Sequence, residues 1–348
     1  NYDISNGVVQ SCPSLLLEGA STNLITYSED LTQSDWSKNS ITVESNAIIS
    51  PDGTQNADKI TKSASNALIR QFIATTGANT FSVYVKKGSL YWVRLYIASS
   101  TESAECWFDL ENGLTGFTSG NPESVEIVSL SNGWYKCIIT KNTTDITNFR
   151  IYPSQADDDT SGTSGDIYIY GAQVEALSYA TSYIPTNGSS QTRAAETCND
   201  AGNAATFNST EGVLYIETKA LSNDLSERRF GLSDGTSSNV IRVGYTSVSN
   251  RIIAVVYNGS NQAVLTYTSP DITQNSKIAV KYKANDFALW VNGIERSTDA
   301  SGSVFASNTL NSLGFDIGGG SNFYSNTKQV QYFDTALTDA QLETLTTL

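Results

Sequence analysis

Methionine and histidine are missing altogether from these 348 residues. Without histidine there is no Ser-His-Asp triad, no Cys-His pair and no histidine-ligated zinc. Without methionine, and with Asn1 first (a residue not small enough for ready removal of an initiator methionine), the chain is expected to be part of a longer polypeptide. Positive charge is scarce: 21 Lys and Arg stand against 35 Asp and Glu, for a net charge of −14 and a pI near 4.4. That balance argues against nucleic acid and against anionic membrane surfaces as partners. Long apolar runs are also lacking. The longest in the second half, Ile252 to Tyr257, is a strand's worth, so no membrane insertion is expected, and no signal-peptide pattern is visible. The four cysteines have no CxxC spacing, which removes the commonest metal and redox patterns. Cys12 with Cys198, or Cys106 with Cys137, could be in contact; the plain alternative is buried free thiols.

What is there reads as strand. Charged residues are only 16% of the chain, and Ser, Thr, Asn and Gly fill the gap, as many strands with polar loops would require. The length suggests two domains. The sequence is organised around Gly165 to Cys198. Ile167 and Ile169 alternate with Tyr168 and Tyr170 as in a strand; the pattern then breaks at Pro185 and a polar turn. Strands are expected at 80–86, 90–98, 105–110, 134–140, 148–152 and 166–174, with Asn112-Gly113 and Asn132-Gly133 as turns. No useful helix period appears before the C-terminus. There Thr338 and Gln341 form a capping box ahead of Leu342 and Leu345. The expected organisation is an N-terminal arm (1–20), a first domain (21–188), a linker (189–206) and a second domain (207–348). The fold class is all-β, two tandem antiparallel β-sandwiches with a short C-terminal helix.

Two stretches carry a resemblance. Ser11 to Leu31, SCPSLLLEGASTNLITYSEDL, and the later GAQVE, SYIPT and TR are similar to the opening and closing segments of a jelly-roll domain found in bacteriophage head-spike, head-fibre and tail-fibre proteins. WFDLENG and SNGWYKCIIT resemble the same pattern. Lys277 to Glu295, a hairpin running into Asn292-Gly293 and followed later by a strand and a short helix, resembles a laminin-G or concanavalin-A-like lectin domain. The first resemblance covers most of 1–198 and the second most of 206–348. Together they imply a virion appendage protein, with host surface polysaccharide and other virion proteins as partners, a homotrimer, and location on the virion. A virion protein assembled in a reducing cytoplasm need not be cross-linked.

Candidate chemistry is of three kinds. Catalysis is not expected. Hydrolases with the concanavalin-A-like fold need closely spaced paired carboxylates on one strand, and neither their Glu-x-Asp-x-x-Glu nor Glu-x-Asp-x-Glu spacing occurs; lyases of that fold lean on a histidine that this chain lacks. Asp109 and Glu111 flank a turn, where carboxylates ordinarily cap backbone donors. The Asp157, Asp158, Asp159 run with Asp166 is an oxygen-rich loop, so Asp157, Asp159 and Asp166 are candidate calcium ligands, although a solvated acidic loop would look the same. No other cofactor is expected. The third kind is a binding face. Tyr84, Trp92, Arg94, Tyr96, Tyr168 and Tyr170 share the register opposite the aliphatic Val83, Val85, Val93, Leu95, Ile97, Ile167 and Ile169 and are expected to line one outer sheet surface. Exposed rings beside Arg and Lys suit sugar stacking, but subunit packing is the readier expectation for such a face. Tyr245, Trp290, Phe323 and Tyr324 are the corresponding candidates in the second domain, with the loop 318–322 beside them. The sequons at Asn142, Asn208 and Asn258 are expected by chance in so Ser/Thr-rich a chain. The function expected is attachment to a surface glycan without catalysis. The alternatives are a carbohydrate-binding fragment of a secreted polysaccharide-degrading enzyme and a decoration protein with no ligand.

Overall fold

A computed structural model describes residues 2–5, 8–317 and 319–348, with side chains from residue 13 onward except residue 318. The chain forms two compact units, one made of Ala20–Ala194 and the other of Ala195–Leu348 together with Gln10–Gly19. Each is an antiparallel β-sandwich, and the one α-helix among the described residues is the short C-terminal Asp339–Thr346.

In the unit 20–194, two long strands run antiparallel over nearly their whole length: Leu68–Lys87 and Trp134–Ser154. From sequence the second had been expected as two separate strands, 134–140 and 148–152. Around the first half of Trp134–Ser154 and the second half of Leu68–Lys87 sit Ser124–Ser129, Gly165–Glu175, Ala57–Lys62 and Ile41–Ile48. Around the other halves sit Trp92–Ser99, Ala104–Asp109, Leu114–Ser119 and Ser37–Asn39. The long pair therefore belongs to both layers. It must fold on itself: Phe81 and Phe149 meet with ring centroids 5.5 Å apart, although Phe149 pairs across the ladder with Gln71, ten positions from Phe81 and roughly 33 Å away along a straight strand. The bend falls where the register slips between Thr143, Ile146 and Asn148 and where Gly77 takes a left-handed φ of 76°. A bulge and a glycine are the ordinary means of turning a strand this way.

Alternation then fills the core as expected. Val83, Val85, Val93, Leu95, Ile97, Ile167 and Ile169 are fully buried in one cluster drawn from both layers. Trp36 joins it and donates its indole N–H to the Tyr27 carbonyl at 2.8 Å. The Asn132-Gly133 turn has both residues at positive φ, 60° and 74°, the requirement that selects Asn-Gly in tight hairpins. Cys106 and Cys137 are buried free thiols in this core, and burial pushes the Cys106 thiol up to about 12. Cys198 is also free, while the Cys12 side chain lies outside the described residues.

In the other unit, one sheet runs in the order Ile294–Asp299, Phe287–Val291, Ser276–Lys283, Glu211–Ala220, Ser325–Phe333, Leu15–Leu17. The facing sheet runs Asn261–Thr268, Arg251–Asn258, Asn239–Tyr245, Arg228–Ser233, Ser312–Gly314. Leu15–Leu17, read from sequence as part of an arm ahead of the first domain, is thus an edge strand here, paired with Ser325–Thr327. The stretch 189–206, read as a linker, is tied down. Gln191–Arg193 pairs with Ser21–Asn23, Glu196 N–H donates to the Glu18 carbonyl, and Phe207 is buried. The helix Asp339–Thr346 begins with the expected capping box between Thr338 and Gln341. It lays Leu342 against Val213, Tyr215, Ala279, Ala288 and Trp290, sealing the outer face of the first sheet.

Candidate functional site

The parts of the opening and closing segments that lie in the unit 20–194 come together there, and hydrogen bonding explains why their polar residues can be buried. Asn23 is fully buried. Its amide nitrogen donates to the carbonyls of Ile184 (2.9 Å) and Ala172 (3.2 Å), and its amide oxygen accepts from the N–H of Val174 and Ile25, each at 3.1 Å. Glu175, also buried, accepts from the Ser21 hydroxyl at 2.6 Å, the Thr181 N–H at 2.9 Å and the Thr181 hydroxyl at 2.5 Å. Gln173 accepts from Ile184 N–H at 2.7 Å. A buried polar side chain is tolerated only when so paired, and these residues close the opening segment onto the closing one.

Where the two segments meet there is a cleft of about 610 Å³, lined by Tyr27, Glu29, Asp30, Asn46, Asn56 and Asp58 among others, and by Pro185 and Asn187. Nothing in the sequence reading pointed to it. Asp58 is 1% exposed. It accepts from Leu31 N–H at 2.8 Å and Asn46 N–H at 3.0 Å, and burial pushes its carboxyl up to about 6. For Asp30, burial raises the pKa but hydrogen bonds from Thr32 and Gln33 outweigh it and hold the group below the usual carboxylate range. Glu29 accepts from Tyr183 at 3.0 Å, Tyr170 at 3.3 Å and Asn56 at 3.3 Å. These carboxylates therefore brace the loops around the cleft.

The second feature is the outer face of the layer containing Trp92–Ser99. Arg94 is central. Its guanidinium lies 4.0 Å from the Tyr152 ring centroid, 4.9 Å from Trp107 and 5.0 Å from Tyr96, and it pairs with Glu105 at 3.0 Å. Arg150 lies 4.9 Å over Tyr96, and Arg70 4.5 Å over Phe72. Phe117 meets Trp107 edge-on at 5.7 Å. Strand alternation produces this face: with Val93, Leu95, Phe149 and Ile151 inside, Trp92, Arg94, Tyr96, Arg150 and Tyr152 must lie outside. Phe72 and Phe117 are 63% and 44% exposed, while Trp92 and Tyr96 are half-buried. Trp107, Tyr152, Arg70, Phe72 and Phe117 had not been singled out from sequence. The same alternation that picked Trp92 and Tyr96 would have found Trp107 and Tyr152.

The expected single surface is in fact two. Tyr84, Tyr168 and Tyr170 lie on the other layer, because Gly165–Glu175 pairs with the half of Leu68–Lys87 remote from Trp92–Ser99. Tyr84, Tyr170 and Tyr183 form a ring trio 5.4 to 6.0 Å apart. Gly171, at a left-handed φ of 60°, leaves room for two of these rings; a Cβ there would come within 3.0 Å of Tyr84. Tyr170 is itself buried and donates to Asp52 at 2.9 Å. In the unit 195–348, Tyr245 and Phe323 are core residues stacked at 5.3 Å, and Trp290 lies beneath the C-terminal helix. These three do not line an exposed face, because alternation places a ring on a side of the sheet without showing whether that side is covered. Tyr324 is half-buried; it packs on Gly19 and accepts from the Asn322 amide at 3.0 Å. Of the adjoining loop 318–322, Gly318 lies outside the described residues; Asp316 accepts from Gly320 and Ser321 N–H. The calcium candidates are engaged separately: Asp157 accepts from Phe117 N–H at 2.7 Å, Asp159 from Ser161 N–H at 2.7 Å, and Asp166 from Ser89 N–H at 3.2 Å. Among the described residues no three Asp, Glu or Cys side chains converge as metal ligands. Asp109 caps its turn, accepting from Glu111 N–H and Asn112 N–H.

No family model matches the sequence, and no curated protein matches it. Solved structures do. The carbohydrate-binding module CBM40 of a Ruminococcus gnavus IT-sialidase is 15% identical, with 44% of this chain and 97% of that one covered at a TM-score of 0.35. Domains LG4-5 of the mouse laminin α1 chain are 10% identical, with 95% and 94% covered at a TM-score of 0.29. A Trypanosoma rangeli sialidase in complex with sialic acid is 10% identical, with 83% and 60% covered at a TM-score of 0.31.

Proposed function

We propose that the chain is a non-catalytic glycan-binding protein of a bacteriophage virion appendage, which holds a host surface polysaccharide against the outer face of the Trp92–Ser99 layer. The observation that carries the glycan reading is that face itself: Phe72, Trp92, Tyr96 and Phe117 interleaved with Arg70, Arg94 and Arg150. Rings stack on the apolar side of a sugar while guanidinium and tyrosine groups hydrogen-bond its hydroxyls. The phage reading rests on the resemblance of the opening and closing segments, whose motif residues share one buried network. Single contacts of this kind are weak; many copies on a particle, in a homotrimer anchored to other virion proteins, would supply avidity. A structural calcium at Asp157, Asp159 or Asp166 belongs to the same reading; a chelator that leaves the melting temperature unchanged removes it. A carbohydrate-binding fragment of a secreted polysaccharide-degrading enzyme would use the same face.

The test is a glycan array and a host-cell adsorption assay with the purified chain. Binding is expected, with loss in Trp92→Ala and Tyr96→Ala and with no cleavage product from any bound polymer. Retention by both variants, or products appearing, overturns the reading. A second reading, that this face packs subunits, is favoured by the exposure of Phe72, Leu114 and Phe117. Light scattering decides it: a trimer that Phe72→Ser dissociates assigns the face to assembly.

A further inference from the structure

Within that face one pair of side chains sits against simple electrostatics. Arg150 and Arg70 are directly opposite each other on neighbouring antiparallel strands, and like charges so placed repel. The chain has 35 carboxylates and a net charge of −14, yet among the described residues neither arginine has a carboxylate within ion-pair distance. Arg94, one strand away, does have one in Glu105. Each unpaired guanidinium is held on a ring instead, Arg70 on Phe72 and Arg150 on Tyr96. Arg150 is fixed further, donating from Nε to the Asn148 amide oxygen at 2.6 Å and from a terminal nitrogen to the Tyr152 hydroxyl at 3.3 Å. The Arg70 Nε is buried and has no hydrogen-bond partner. Two positioned cations with donors to spare, in an otherwise acidic protein, form a preorganised site for an anion.

We propose that Arg70 and Arg150 form an anion subsite within the glycan-binding face and that the sugar it takes bears a carboxylate. This rests on the reading that the face binds glycan, and it names the class of glycan. The planar guanidinium fork matches a carboxylate two donors at a time. The flanking Phe72 and Tyr96 rings provide stacking surface on either side. The acidic remainder of the chain repels densely charged polymers at a distance, which favours a sugar with one charge per residue over a heavily sulfated one.

The experiment is titration calorimetry of the full chain with four probes: a sialylated trisaccharide, a diuronate, lactose and a sulfated disaccharide. One or both carboxylate sugars should bind at least tenfold more tightly than lactose, with the advantage falling as salt is raised. Which of the two binds identifies the source of the carboxylate. Arg70→Gln and Arg150→Gln should each weaken that binding by about tenfold, with unchanged far-UV dichroism and with lactose affinity unaltered. Lys283→Gln, the same change of charge in the other unit, should change nothing. If lactose binds as well as the acidic sugars, or the arginine variants keep full affinity for them, the carboxylate assignment falls while the glycan reading stands. If the sulfated probe binds best, the assignment to carboxylate likewise falls. If no sugar binds in any arm, the glycan reading itself falls, and this inference with it. Self-association lost in both arginine variants, without any sugar binding, would assign the pair to a carboxylate of a second copy and overturn the proposal.

Discussion

Trp107 and Trp290 occupy equivalent places, each on the outer face of a sheet, and both are buried, at 3% and 7% exposure. Both indole nitrogens lack a hydrogen-bond partner. The cover differs in kind. Trp290 lies under a helix that brings Leu342 and Leu345, with Leu337 just ahead of it. Trp107 is covered by side chains of its own and adjoining strands, the Arg94 guanidinium 4.9 Å above it and Phe117 at its edge. A helix closes a face; long cationic side chains shield the ring beneath them but leave the face able to meet a ligand. Outer-face aromatics are therefore not equal evidence of binding, and what covers them decides.

The largest expected effect comes from breaking the helical cover. Leu342 is fully buried, and Leu342→Asp places an unpaired charge there. It should destabilise the protein by about 4 kcal/mol or more, seen as a lower urea midpoint and red-shifted tryptophan emission. An unchanged midpoint would mean that the helix covers nothing of consequence and that the two faces do not differ.

The same contrast between cover and exposure divides two carboxylates of the cleft. Burial pushes Asp58 up to about 6, from an ordinary value of 3.8, while hydrogen bonds hold the partly exposed Asp30 below that value. For Asp58 the folded state holds its proton more tightly than the unfolded state. Its contribution is therefore fully present below about pH 4 and is lost as pH rises through about 6, a loss of about 2–3 kcal/mol. Asp58→Asn should flatten the dependence of unfolding free energy on pH between 4 and 7. If the variant keeps the wild-type slope, the titrating group lies elsewhere.

Arg94→Ala tests the cationic cover directly. It removes contact with three rings and leaves Glu105 without its partner. A loss of about 1–2 kcal/mol is expected, with Trp107 emission moving to the red. Emission that stays put would show Trp107 to be held by the sheet and Phe117 alone.

These differences mark where sequence reading succeeds and where it stops. Period-two alternation separated Val93 from Trp92, and the Thr338–Gln341 box and the Asn-Gly turns appeared where local chemistry requires them. Local signals fail for pairings between distant residues. Nothing in Leu15–Leu17 indicates Ser325–Thr327 as its neighbour. Nothing in 143–148 indicates that the strand bends there instead of ending, since a polar bulge rich in Thr, Asp and Asn looks the same as a loop. The cleft was hidden for a related reason. Asp58 lies among strand residues with no local mark of burial, and its walls come from segments more than a hundred residues apart. The tyrosines and tryptophans were found, but the cover that separates Trp290 from Trp92 is a tertiary fact.

The smallest effect on stability should come from the most open ring. Phe72 is 63% exposed and touches the Arg70 guanidinium at 4.5 Å. An exposed aromatic adds little to the folded state, because most of its surface is in water in either state. Phe72→Ser should therefore change stability by no more than about 0.5 kcal/mol, where Leu342→Asp costs several times that. Its effect should appear in binding instead. Loss of one stacking surface weakens retention on a glycan column by roughly two- to tenfold, while Val264→Ser, which removes another exposed apolar side chain, 47% open, from the other unit, leaves retention alone. Equal retention of both variants would remove the ring from the binding face. A large loss of stability in Phe72→Ser would show that Phe72 supports the sheet beneath it, and the difference between an open face and a covered one would then not hold at this position.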